Sequence, residues 1–331
     1  MIKIGINGFG RIGRCIFRAL VESGRDDIII NAINVGSGNL ENHYHLLKYD
    51  STHGVFDEFC PVEDGIKYDK GTAKVISNMS LSGIDWRALN VDIVLECTGA
   101  FATKEKAFGH LVSGAKKVIV SAPCSDADAT IVLGVNESII TPDKLVLSIG
   151  SCTTNCLAPL VSIIHKNIGI ESGFMTTIHA YTNDQSVLDV IHNDKRRARA
   201  CGVSIIPSAT GAAKALGLVI PEMAGKLDGV AVRVPTTNVS MIDFKFKLSK
   251  PASVEDINNM IRNASLGSSI IRYCEEELVS IDFNHDSHSA IFDATQTKVV
   301  SGDFCRIAAW YDNEWGFANR MLDVAAIIGA L

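Results

Sequence analysis

Up to about residue 150 the chain alternates short, almost continuously apolar runs with stretches of helical spacing. Ile2 to Asn7 reads as a strand, Arg11 to Ser23 as a helix, and Ile28 to Asn34 as a second strand. Val91 to Glu96, Lys117 to Ser121, Ile131 to Val135 and Leu145 to Ser148 continue the series. Runs this apolar belong to strands covered on both faces, and their alternation with helices predicts βαβ units around a parallel sheet.

Beyond residue 150 the texture changes. Cys152 to Lys166 has helical spacing and leads into longer alternating segments, Gly229 to Leu248 and Ser289 to Val300. Alternation over such lengths predicts antiparallel strands with one covered face, hence a second, α+β domain. Phe317, Met321, Ala325 and Ile328 then recur at helical spacing. The expected division is residues 1–150 and 151–315, with helix 316–331 packing back on the first domain. A length of 331 residues agrees with two domains.

Composition narrows the class. Lys and Arg total 31 against 37 Asp and Glu, a formal charge of −6, which argues against nucleic acid as the primary partner. No run approaches the roughly 18 apolar residues that span a bilayer, and the chain begins directly in a strand without a signal-peptide pattern. The nine cysteines form no CxxC and share no zinc-ligand spacing with histidine. An odd, scattered set of thiols predicts a reduced, cytoplasmic protein with most cysteines serving as small apolar residues and no metal site.

Two segments carry chemistry on their own. Gly8-Phe9-Gly10-Arg11-Ile12-Gly13 is a GxGxxG that follows a strand and opens a helix. Gly8 suits the tight turn, Gly10 lets backbone approach a pyrophosphate, and Gly13 allows close helix–strand packing, so the motif predicts a dinucleotide cofactor. The second strand ends Asn34-Val35-Gly36-Ser37, without the carboxylate that accepts hydrogen bonds from an adenosine ribose. Its absence leaves both NAD and NADP open, and Ser37 is placed to donate to a 2′-phosphate. The other segment, Gly150-Ser151-Cys152-Thr153-Thr154-Asn155-Cys156, sets Cys152 near a helix N-terminus, where positive partial charge favours thiolate. Cys156, one turn on, reads as a core residue. His179 lies in a strand-like run, Thr177 to Thr182, which alone is weak grounds for catalysis.

With these segments in place, the chain resembles the phosphorylating glyceraldehyde-3-phosphate dehydrogenase family along essentially its whole length. The matching runs are INGFGRIGR, HLLKYDSTHG, ECTGAF, SCTTNCLAP, TIHAYTNDQ, RRARA, TGAAKALG, RVPTTNVSMID and WYDNEWG, in that order. The resemblance implies a Rossmann domain binding NAD or NADP, followed by an α+β catalytic domain with an antiparallel sheet. It implies Cys152 as the nucleophile and His179 as the general base. Thr182 and Arg233 would hold the substrate phosphate, and Ser151, Thr153, Arg197, Thr210 and Gly211 the attacking inorganic phosphate. Gly8, Gly10, Arg11, Ile12, Gly13, Thr98 and Ser121 would line the cofactor, and Asn313 would orient its carboxamide. A homotetramer with a role in glycolysis or gluconeogenesis also follows from the resemblance.

The chain departs from the family pattern at Val35, at Ser148-Ile149-Gly150 before the nucleophile, and near Ser77-Asn78-Met79, where an arginine is missing. Ser280 to Thr297 and Trp315 to Arg320 look like the related erythrose-4-phosphate dehydrogenase branch, whereas AYTNDQ and TGAAKALG look like the glyceraldehyde branch. Runs that touch the substrate anions outweigh scaffold, so glyceraldehyde 3-phosphate is the expected substrate. A non-catalytic cofactor-binding regulator is disfavoured, because Cys152, His179, Arg197 and Arg233 are all retained.

Overall fold

Ile2–Asn7 pairs in parallel with Ile28–Asn34 on one side and Ile93–Glu96 on the other, and so occupies the middle of the first sheet. The structure, a computed structural model, describes residues 1–331. They form two compact units, each with its own sheet. Unit one comprises Met1–Ile131, Glu137–Ser151 and Phe317–Leu331; unit two comprises Val132–Asn136 and Cys152–Gly316.

The sheet of unit one has nine strands. Lys117–Val120, Val146–Ser148 and Ala129–Thr130 extend it beyond Ile93–Glu96, and Gly71–Ile76 follows Ile28–Asn34, all in parallel. An antiparallel pair, Cys60–Val62 and Gly65–Tyr68, closes that second edge. Strand order reverses beside Ile2–Asn7, so a crevice opens at the carboxyl ends of the central strands, where α/β sheets bind ligands. Ile4, Ile6, Ile30, Val94 and Ile119 are fully or almost fully buried, as two-sided coverage requires. The expected strand at Ile131–Val135 is a correction: pairing is confined to Ala129–Thr130, and Val132 turns into the core of unit two. The terminal helix, Trp315–Gly329, buries Phe317, Met321, Ala325 and Ile328, and Gly329 lies so close to Ile2 that a Cβ would come within 2.4 Å of it.

The sheet of unit two has eight strands and is mixed rather than purely antiparallel. Ile170–Ala180 runs parallel to Leu227–Val234 and antiparallel to Ser240–Leu248, and Ile271–Cys274 runs parallel to Ala290–Asp293. The segment Gly229–Leu248, one alternating run by sequence, is two strands interrupted at Pro235-Thr236-Thr237, because proline cannot donate to a ladder. Helix Cys152–Asn167 covers one face of this sheet, with Cys156, Leu157, Leu160 and Ile164 set among Met175, Ile242, Phe244 and Ile307. That packing anchors the first turn of the helix beside the carboxyl ends of the two parallel strands.

Candidate active site

Unit one presents a cradle at the start of helix Arg11–Glu22. Gly8 has φ +96°, and a Cβ there would stand 2.8 Å from the Thr98 nitrogen. A Cβ on Gly13 would stand 2.2 Å from the Gly8 carbonyl oxygen, whereas one on Gly10 would meet open space. Gly10 caps the helix without a side-chain hydrogen bond, and the first helical bond runs from Arg14 N–H to Gly10, leaving the N–H groups of Arg11, Ile12 and Gly13 ahead of it. A dinucleotide pyrophosphate fits this arrangement: backbone approaches from one side, and positive partial charge faces it. The Arg11 guanidinium pairs with Asp50 at 2.5 Å, so it is the backbone of Arg11 that the cradle presents. Burial would push the Asp50 carboxyl up, but Arg11 and the N–H groups of His53 and Thr52 hold it down to about 2.

A buried polar chain lies beneath the cradle. Glu96 accepts from Asn7 Nδ2 at 2.6 Å, from Thr98 N–H at 2.7 Å and from the Thr98 hydroxyl, and meets His110 Nε2 at 2.8 Å. Asn34 Nδ2 donates to Asn7 Oδ1 at 2.7 Å, and Trp86 Nε1 reaches His110 Nδ1 at 3.0 Å. These bonds tie together the ends of the three central strands and orient Thr98. Ser121 joins the same rim, its N–H donating to the Glu96 carbonyl at 3.0 Å. At the end of the second strand Val35 is buried, Gly36 and Gly38 have positive φ, and Ser37 is exposed. No carboxylate occupies Val35 to Gly38.

In unit two, Cys152 Sγ lies 3.6 Å from His179 Nε2. Nδ1 on the far side of the ring faces the Ala180 carbonyl at 2.6 Å, and with the proton there the Nε2 lone pair faces the sulfur. Burial, and secondly the Arg233 guanidinium, push the imidazole down to about 3. Cys152 differs from the sequence expectation of an acidic thiol. Burial pushes it up, and Arg233 with the Thr153 N–H and hydroxyl only partly opposes this. Cys156 is fully buried and its thiol pushed well up, as suits a core residue.

Arg233 sits opposite His179 in the parallel ladder, with Nη1 2.5 Å from Nδ1 and 3.0 Å from the Ala180 oxygen. Arg197 pairs with Asp184, lies 3.6 Å from Asp194 and donates to the Ala209 carbonyl at 3.3 Å, beside Thr210 and Gly211. The Nε–H of each arginine is buried without a hydrogen-bond acceptor, a donor that an anion would satisfy. Thr182 is exposed in a turn, its N–H bonded to Gln185 Oε1 at 2.9 Å. Thr153 is buried, and its hydroxyl meets the Tyr311 hydroxyl at 2.8 Å. Ser151 directly precedes the helix. Asn313 is buried with its oxygen accepting from Ser240, whose own oxygen accepts from Ala180 N–H at 3.0 Å. The Asn313 amide nitrogen is thereby oriented from the His179 strand.

Sequence reasoning missed Tyr311, Ser240 and Asp184, although each lies inside a motif run. The Tyr311 hydroxyl bridges Thr153 and Thr177 at 2.8 Å each, and its ring meets the His179 ring edge to face. Only strand register, with Ser240 opposite Tyr311, brings these groups together. A thiol facing a neutral imidazole, with the Arg233 guanidinium against the far side of the ring, suits covalent catalysis on an anionic carbonyl substrate.

Comparisons with known proteins agree over the whole chain. Residues 2–104 match the family model described as glyceraldehyde 3-phosphate dehydrogenase, NAD binding domain, and residues 151–313 the corresponding C-terminal domain. A glyceraldehyde-3-phosphate dehydrogenase of Cereibacter sphaeroides is 52% identical over 100% of this chain and 99% of its own length. That of Xanthobacter flavus is 51% identical over the same shares. The protein of the same name from Pseudomonas aeruginosa is 49% identical over 99% of this chain and 98% of its own.

Proposed function

The chain belongs to the glyceraldehyde 3-phosphate dehydrogenase family, and we propose that it converts D-glyceraldehyde 3-phosphate and inorganic phosphate to 1,3-bisphosphoglycerate. The approach of Cys152 Sγ to His179 Nε2, beside Arg233 and in a chain with Arg197, carries this reading.

His179 Nε2 takes the Cys152 thiol proton as the sulfur attacks the aldehyde carbon, so that the C–S bond forms while the carbonyl π pair moves onto oxygen. The oxyanion, stabilised by the Cys152 N–H at the helix start, takes that proton back from His179 and becomes the hemithioacetal hydroxyl. His179 Nε2 accepts the hydroxyl proton as C1 loses hydride, and a thioester remains on Cys152. A bound nicotinamide supplies the hydride acceptor, held by Gly8 to Gly13, Thr98, Ser121 and Asn313. A phosphate oxygen then attacks the thioester, the C–S bond breaks, and the acyl phosphate leaves. Arg233 and Thr182 hold the substrate phosphate. Arg197, Thr210 and Gly211, with Ser151 and Thr153, serve the attacking phosphate, for which planar guanidinium forks are suited.

Both NAD and NADP are accommodated by this reading, since Val35 offers neither a partner for a ribose hydroxyl nor repulsion toward a 2′-phosphate. A homotetramer is supported by exposed apolar side chains on both sides of the basic run at 195–199, among which Ile191 is 100% exposed and Val203 86%. Nine cysteines, none in a disulfide, agree with a cytoplasmic location; no helix is long and apolar enough to cross a membrane. Reduced-nicotinamide absorbance tests the reading, with NAD and NADP in parallel, each with and without phosphate. Phosphate-dependent turnover is expected with glyceraldehyde 3-phosphate in preference to erythrose 4-phosphate. Turnover with erythrose 4-phosphate alone would move the chain to the sister activity, and none with either would end the enzymatic reading.

A further inference from the structure

We infer that Arg233 couples the substrate's phosphate to the proton affinity of His179, keeping the base weak until that phosphate arrives. This rests on the functional reading above and extends it. The geometry gives Arg233 Nη1 two tasks that a third would disturb. It lies 2.5 Å from His179 Nδ1 and 3.0 Å from the Ala180 oxygen, the same oxygen that Nδ1 faces at 2.6 Å. Nδ1 cannot accept from Nη1 and donate to Ala180 at once. Accepting from the guanidinium puts the ring proton on Nε2, the atom that must take the hydroxyl proton. Donating to Ala180 leaves Nε2 as an acceptor.

The groups around the ring show that Arg233 is the controlling charge. Helix Cys152–Asn167 contributes the Cys152 sulfur at 3.6 Å, and strand Phe304–Tyr311 contributes the ring of Tyr311, whose burial pushes its hydroxyl well above its ordinary value and keeps it neutral. Strand Leu227–Val234 contributes Arg233, and the ring's own strand contributes the Ala180 carbonyl. Arg233 is itself influenced by Cys152, Tyr311, Arg197 and Asp184. His179 thus has one cation against it and no carboxylate among its hydrogen-bonding partners. A phosphate dianion on the Arg233 fork cancels that cation and competes for Nη1. The imidazole then gains proton affinity at the moment the hemithioacetal needs a base, and a stronger neutral base removes the proton faster.

The sign follows. His179 acts when neutral, so the rate falls below its pKa in the loaded enzyme. The acidic limb of acylation should therefore lie at higher pH with glyceraldehyde 3-phosphate than with unphosphorylated glyceraldehyde, by about one unit, and with a faster plateau. Single-turnover acylation without inorganic phosphate, started by pH-jump mixing over a range of about pH 3 to 8, spans both limbs, because His179 is held down to about 3 before the phosphate arrives. Ultraviolet thiolate absorbance, followed in parallel, separates the titration of Cys152 from that of His179. In Arg233→Gln the glyceraldehyde limb should rise and the gap between substrates should vanish. Coincident limbs in the unaltered enzyme, a gap that survives in Arg233→Gln, or a limb that merely tracks the thiolate would each overturn the inference while leaving the reaction intact. Failure to acylate with either aldehyde would overturn the functional reading and this inference with it.

Discussion

His179 and Arg233 stand opposite each other in register on two parallel strands, with Nη1 of the arginine 2.5 Å from Nδ1 of the histidine. A ladder pairing is stiffer than a contact between loops, because backbone hydrogen bonds on both sides hold the two Cβ atoms. The imidazole is consequently fixed on its Nδ1 side by Arg233 and Ala180, and its Nε2 side faces Cys152.

Replacing either member of the thiol–imidazole pair should separate two kinds of loss. Cys152→Ala should abolish turnover, since no C–S bond can form. His179→Gln should slow acylation by about 10²- to 10⁴-fold while hemithioacetal formation persists. Rapid-mixing measurement of reduced cofactor gives both rates; residual dehydrogenase turnover in Cys152→Ala would reject the covalent route.

Tyr311→Phe keeps the ring against His179 but removes the hydroxyl shared by Thr153 and Thr177. Two buried hydroxyls lose a partner, so the variant should be less stable by about 1–2 kcal/mol. Reorientation of Thr153 should also weaken the step that uses inorganic phosphate. Urea unfolding and KM for phosphate test both parts, and an unchanged KM would confine Tyr311 to stability.

Glu96→Ala strips acceptors from Asn7, Thr98 and His110 in a fully buried setting. The expected cost is about 3 kcal/mol, because several buried donors lose their acceptor at once. Because Thr98 loses its orientation, cofactor affinity should fall by roughly tenfold, equivalent to about 1.4 kcal/mol. Calorimetric titration with NAD, at a temperature where the variant is folded, would show otherwise if affinity held.

Asp50 predicts an acid dependence. Its carboxyl is held down from 3.8 to about 2, so it contributes to stability above pH 4 and loses that contribution as pH falls toward 2. The shift corresponds to about 2 kcal/mol. Unfolding midpoints of the parent and of Asp50→Asn should differ at pH 7 and converge near pH 2. A constant difference would mean that the ion pair with Arg11 is not the source.

Val35→Asp restores a carboxylate at the end of the second strand. Its charge should repel a 2′-phosphate and accept from a ribose hydroxyl, raising the ratio of kcat/KM for NAD over NADP by about tenfold or more. An unchanged ratio would place cofactor choice elsewhere on the rim.

Much of this was legible along the chain because the relevant physics is local. A glycine turn before a helix, apolar runs bounded by turns, and a cysteine at a strand–helix junction declare themselves within ten residues. The strands Ile2–Asn7 and Ile28–Asn34 have their expected bounds, and the long helix beginning at Cys152 starts where its spacing places it. Local pattern was less informative where tertiary packing decided. Ile131–Val135 has strand-like composition, yet Val132 serves another core, and the sheet of unit two gained parallel pairings that alternation cannot distinguish from antiparallel ones.

The acidity of Cys152 illustrates the same division. A helix N-terminus is visible in sequence and favours thiolate, but burial, which opposes it, depends on what folds over the sulfur. The sequence alone therefore determined which reactive groups exist and the class of cofactor motif. Register between Ile170–Ala180, Leu227–Val234, Ser240–Leu248 and Phe304–Tyr311 decided which of them meet. Residues as far apart as Thr153 and Tyr311 become neighbours only through pairing across the sheet, and the desolvation that sets their proton affinities belongs to the assembled core rather than to any segment of it.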